Sequence, residues 1–220
     1  MTATLSGLTL EDHWVRMTKR LRAPKKSLPI FKKVVKRYEH PSRVYHGVTH
    51  LTDVLEASEL LCEELHVEPE SRGAVALAAF YHDSMLDPRR TDNEAQSVEC
   101  MIGDLAGVRM HPLALSAATL GILGTIAGHE PQGQMAKIVS DADLLVLATP
   151  WETYARYALG IRTEYARFYS EDVYIAGRIE VLEGLCDSKL LYFAAGEENA
   201  KRNMRTEIKL LKGVLPNEDA

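Results

Sequence analysis

Three separated places in this 220-residue chain carry side chains that could do chemistry together. The first is the doublet His82-Asp83, set at the end of the apolar run Ala74–Ala79. The second is the pair His46 and His50, four residues apart, ahead of Leu51, Val54 and Leu55. The third is Asp141 and Asp143, two acids inside the otherwise apolar stretch 138–147. An ionised carboxylate in such a setting costs several kcal/mol unless it is paired or bound to a metal. Imidazole nitrogens and carboxylate oxygens together suit a divalent ion such as Mn, Fe, Zn, Ni or Mg, with coordination positions left for water and substrate. Cys62, Cys100 and Cys186 are far apart and lack CxxC spacing, so they read as reduced structural residues outside any metal site.

The elements that must position these groups read as helices throughout. Thr9, with Glu11 and Asp12 behind it, opens a first helix carrying Trp14, Met17 and Leu21 and stopping at Pro24. Residues 25–37 place Lys25, Lys26, Lys32, Lys33, Lys36 and Arg37 around an apolar face of Ile30, Phe31, Val34 and Val35, a solvated basic face. A loop from His40 to Gly47 enters a long helix with Leu51, Val54, Leu55, Leu60 and Leu61. After a turn at Pro69-Glu70-Ser71, the doublet helix follows and ends by Pro88. Further helices are expected over 91–105, with Val98, Met101 and Ile102 as its apolar face, and over 113–127 behind Pro112, where His111 is a cap or turn residue. They are followed by helices over 135–148, from Trp151 onward, 171–186 and 197–212, with a frayed tail at 216–220. Tyr154, Tyr157, Ile161, Tyr165 and Phe168 form a stripe expected in the core. No convincing strand alternation or hairpin turn occurs, so the fold class is all-α, a single helical domain over 1–220 with its core at about 28–213.

The formal net charge of −5 gives no nucleic-acid surface. No signal-peptide core or bilayer-length apolar run is seen, and the expectation is a cytoplasmic chain without membrane contact.

The order H, then HD, then D across an all-α chain resembles the HD-domain superfamily of metal-dependent phosphohydrolases. The blocks YHGVTHLTDVL, AAFYHDSMLDP, DNEAQS, IAGHEP, SDADLLVLA, YALGIRTEY and GRIEVLEGL extend the likeness from about Tyr45 to Tyr192, to a bacterial family of predicted HD phosphohydrolases. The resemblance implies a helical bundle of that type, with His50, His82, Asp83 and Asp143 as metal ligands and Asp141 as the substitute for Asp143. It implies hydrolysis of a small phosphorylated molecule, a nucleotide phosphoester or phosphoanhydride, by a metal-activated water. Some nucleotidase relatives carry a glutamate just after the doublet, where this chain has Leu86 and Asp87. Asp83, Asp87 and Glu94 are therefore the candidates for proton transfer. His129, Arg162, Tyr165, Arg178 and His46 are the candidates for substrate contact, the cations among them because charge grows on the phosphoryl oxygens. His129 is also a candidate ligand for a second metal. A metal-containing protein that binds a phosphorylated ligand without turnover is the alternative. A homodimer is compatible with the sequence.

Overall fold

The computed structural model describes residues 7–23 and 27–214. The expected stop at Pro24, Lys25 and Lys26 of the basic cluster, and the tail 216–220 lie outside them. Among the described residues every regular element is helical: α1 Leu10–Arg20, α2 Leu28–Tyr38, α3 Val48–Glu64, α4 Pro69–Tyr81, α5 Asn93–Asp104, α6 Pro112–Leu123, α7 Gly133–Leu144, α8 Trp151–Tyr165, α9 Glu171–Asp187 and α10 Glu197–Lys212. A short 3-10 turn, Leu145–Ala148, follows α7. The all-α expectation is met, and no helix is long and apolar enough to cross a membrane.

The doublet helix α4 is the centre of the packing, touching α1, α3, α5, α6 and α7. Its sequence explains why: Leu77, Ala78, Ala79, Phe80 and Tyr81 are all fully buried, so it has no wet face over its last turns. Trp14 and Phe31 pack on Phe80 with ring centroids 5.0 and 6.4 Å away, closing one end of this core. On the α6 side the approach is closer. A Cβ added at Gly121 would stand 2.6 Å from the Ala78 Cβ, so only glycine allows the two backbones to meet there. A second apolar cluster joins Leu147, Tyr154, Leu182, Leu191 and Met204, and Ala194 packs against both clusters.

Several boundaries differ from expectation, for local reasons. Thr9 does cap α1, exchanging hydrogen bonds with Asp12 in a capping box. Pro69 is not part of a preceding turn but occupies the first turn of α4, where its missing N–H costs nothing. α6 stops at Leu123 rather than at Ala127: the chain tightens past Gly124, and Thr125 turns its hydroxyl onto the Ile122 carbonyl at 2.8 Å. His111 is the N-cap of α6, its Nδ1 accepting from the Leu113 N–H. Leu60, Ile102 and Phe168, expected inside, are exposed. Phe168 instead lies under the Arg89 guanidinium at 4.9 Å.

Replacing Gly121 with valine should destabilise the fold by roughly 1–3 kcal/mol through overpacking against Ala78. A urea midpoint unchanged from the parent chain would contradict this close approach.

Candidate metal centre

The three chemistry-bearing places meet where α3 begins, α4 ends and α7 ends. Gly47 is the N-cap of α3, which puts His50 in the first turn and leaves His46 outside the helix. α4 closes at Tyr81 with His82 as its C-cap. His82 keeps helical dihedrals, and the adjacent side chains of His82 and Asp83 reach one space. Asp143 enters from the last turn of α7.

His50, His82, Asp83 and Asp143 each offer a ligand atom, and these four atoms lie within 4.8 Å of one another. The two Nε2 atoms are 3.1 Å apart. His50 Nε2 is 3.4 Å from Asp83 Oδ2 and 3.2 Å from Asp143 Oδ1. For His82 Nε2 the same oxygens are at 3.2 and 3.6 Å. Ligands on one tetrahedral ion with bonds of about 2.1 Å stand roughly 3.4 Å apart, so the donor set fits a single cation. His82 Nδ1 donates to the Ala79 carbonyl at 2.8 Å, which fixes the tautomer whose Nε2 lone pair faces the cluster. The imidazoles are buried while the Asp83 and Asp143 side chains keep 18 and 21 % of their exposure, so the site is open on its carboxylate side. These residues could hold a metal ion with positions free for other ligands.

The electrostatics point the same way. Burial pulls the His50 imidazolium down, yet hydrogen bonds to Asp143 and Asp83 outweigh it and push the group up to about 10. His82 is raised by the same balance, burial being overcome by Asp83. Asp83 is held well below the usual carboxylate range: burial opposes this, and His82, His46 and His50 overcome it. Without a metal the two carboxylates therefore retain a proton on imidazole, so an ion must displace that proton.

The residue choices left open by the sequence separate here. Asp141, fully buried, accepts the backbone N–H groups of Tyr192, Phe193 and Ala194 at 2.6–3.0 Å and is not in the cluster. His46 lies beside the cluster, its ring 5.6 Å from that of His50, with Nδ1 2.6 Å from Glu164 Oε2. Glu94 feels the cluster's charge: burial raises its carboxyl, and the charges of Asp83 and Asp143 add to the rise. Asp87 is engaged elsewhere. Arg89 binds it through both side chain and backbone and holds it down at about 2, so it carries no proton near neutrality.

The expected phosphate-binding cations do not join the cluster. Arg162 is exposed and ion-paired with Glu171. Arg178 is buried in a two-point bond to Glu207, with Tyr157 against its other edge. His129 is exposed and lines a separate cavity of about 370 Å³ between the segment after α6 and the segment after α9. Tyr165 stacks near Tyr169, their ring centroids 6.2 Å apart.

Two residues that hold the site went unnoticed in the sequence. Glu164 takes the N–H groups of Tyr45 and His46 on one oxygen and the His46 ring on the other, fixing the turn ahead of His50. Arg43 donates to the carbonyls of His46, Asp83 and Ser84, tying that turn to the doublet. Neither carries a sequence signal, since each is defined only by partners distant in the chain.

Removal of His82 or Asp83 as alanine should abolish retention of a divalent ion, read by elemental analysis after reloading. Asp141→Ala should keep the ion but lower stability by roughly 3 kcal/mol, since it leaves three backbone donors bare. Loss of metal in that variant at a temperature where it remains folded would contradict the division between the two aspartates. Because folded His50 stands above its ordinary 6.5, its contribution to the metal-free fold is complete below that value and disappears as pH rises through about 10. Metal affinity should move oppositely, rising with pH and releasing a proton on binding. Calorimetry in two buffers of different ionisation enthalpy measures that proton, and none released would contradict the scheme.

No protein-family model, curated protein or solved structure matches this chain.

Proposed function

We propose that the chain is a metal-dependent hydrolase of a small phosphorylated substrate, a nucleotide phosphoester or phosphoanhydride. The observation that carries this reading is the convergence of His50, His82, Asp83 and Asp143, in the order H, HD, D, on a site open along its carboxylate edge. A divalent ion bound there would supply a water of lowered pKa and polarise a phosphoryl oxygen. The chain's own groups do the rest. Asp83 and Asp143 orient the reacting centre, and the Asp83 carboxylate can accept a proton from the attacking water. Glu94, whose carboxyl is raised by burial and by the two aspartates, can carry a proton to the leaving oxygen. Glu164 fixes the His46 ring beside the site, where its other nitrogen can meet a phosphoryl oxygen.

Metal-reconstituted protein assayed against nucleoside mono-, di- and triphosphates and simple phosphoesters should release phosphate or a nucleotide product. Glu94→Gln should lower kcat about a hundredfold with metal content unchanged, whereas Asp87→Asn should leave kcat near that of the parent. An Asp83→Ala variant as active as the parent would overturn the reading. Thermal stabilisation by a nucleotide without product would instead mark a phospho-ligand-binding protein.

A further inference from the structure

A cavity of about 530 Å³ lies between α8 and α9, within the size of small-molecule sites. Its walls are aromatic and aliphatic: Tyr165, Tyr169, Tyr174, Ile161, Val173 and Val181. Tyr165 forms the centre of the aromatic wall, its ring 6.2 Å from Tyr169 at 24° and 6.1 Å from Tyr174. The wall is braced, because the Tyr169 hydroxyl donates to the Pro88 carbonyl at 3.1 Å. Pro88 and the rim residue Thr91 both belong to the segment that runs from Asp83 to Glu94.

That segment thus connects the cavity to the doublet along the chain. His50, Tyr45, Tyr157 and Arg178 form a chain of contacts at 4.7, 4.7 and 5.2 Å, which puts the Arg178 guanidinium within about 15 Å of the His50 ring. The charge pattern selects what the cavity can take. Arg178 is the cation in its lining, and it is already bound by Glu207 and Tyr157. The exposed carboxylate of Glu180 stands at the rim and disfavours an anion. A flat, neutral group is what such a space accommodates, since stacking on tyrosine asks only for a π-face.

We propose that this cavity binds the nucleobase of the substrate, while the phosphoryl group lies at the His/Asp cluster. This assignment rests on the hydrolase reading given above and adds to it the part of the substrate that sets specificity.

Gly177 gives the means to test it, because it lines the cavity and a Cβ added there meets nothing within 4 Å. Leucine at this position also favours the helix over glycine. The full chain, with and without Mn²⁺, is titrated with adenosine, guanosine, cytidine and uridine, which carry no phosphate, following tyrosine fluorescence. Saturable binding of at least one nucleoside is expected, weakened about tenfold or more in Gly177→Leu. In the hydrolase assay the same variant should raise KM for the matching nucleotide and leave ribose 5-phosphate turnover unchanged. If no nucleoside binds the parent chain, or if Gly177→Leu binds it equally well, the cavity assignment falls even where phosphoesters are hydrolysed. Nucleoside binding lost in Gly177→Leu, with no phosphoester turned over, upholds the cavity and removes the hydrolase reading instead. Sedimentation showing a dimer that Gly177→Leu disrupts, without nucleoside binding, would overturn the assignment in favour of a second copy.

Discussion

Two carboxylates held against two buried imidazoles make a pocket that needs positive charge, and much of the surrounding structure serves to keep them there. In a medium of low polarity the pair Asp83 and Asp143 is stable only if a proton or a metal ion sits between them and the histidines. The chain meets this by converging three helix ends at one point. Helix ends suit the purpose, because groups from α3, α4 and α7 meet there while the helix bodies pack in the core.

A second set of polar groups holds this centre in place without entering it. Asp141 fastens residues 192–194 to α7, Glu164 fastens the His46 turn to α8, and Arg43 fastens that turn to the backbone of Asp83. Tyr38 adds to the last of these by donating to the Phe80 carbonyl and accepting from the Asp83 N–H. Each is a charged or polar group with distant backbone partners. Replacing one leaves several donors or acceptors unsatisfied at once, so these residues act on the site through its geometry.

The helices were legible in the sequence because their apolar spacing is local information. The three places that cluster were also legible, because acids and imidazoles inside apolar runs demand an explanation. What the sequence did not decide is which of two near neighbours faces which way. Asp141 and Asp143 are about 200° apart around a helix, so one faces the cluster and the other faces residues 192–194, and spacing alone does not say which. Arg162 and Arg178 illustrate a different difficulty. Their charge made them candidates for phosphate, but their partners Glu171 and Glu207 are set by tertiary packing. Glu164 looked like an ordinary acid between Thr163 and Tyr165, and its partners lie 118 and 119 residues away.

The central claim is that His50, His82, Asp83 and Asp143 together bind one divalent ion. Diffraction from crystals of the reloaded protein, recorded on both sides of the metal's absorption edge, tests it most directly. The account predicts a single strong anomalous peak about 2.0–2.3 Å from both Nε2 atoms and from one oxygen of each carboxylate. No peak there in protein shown to contain the metal, or a peak at a different set of side chains, would contradict it.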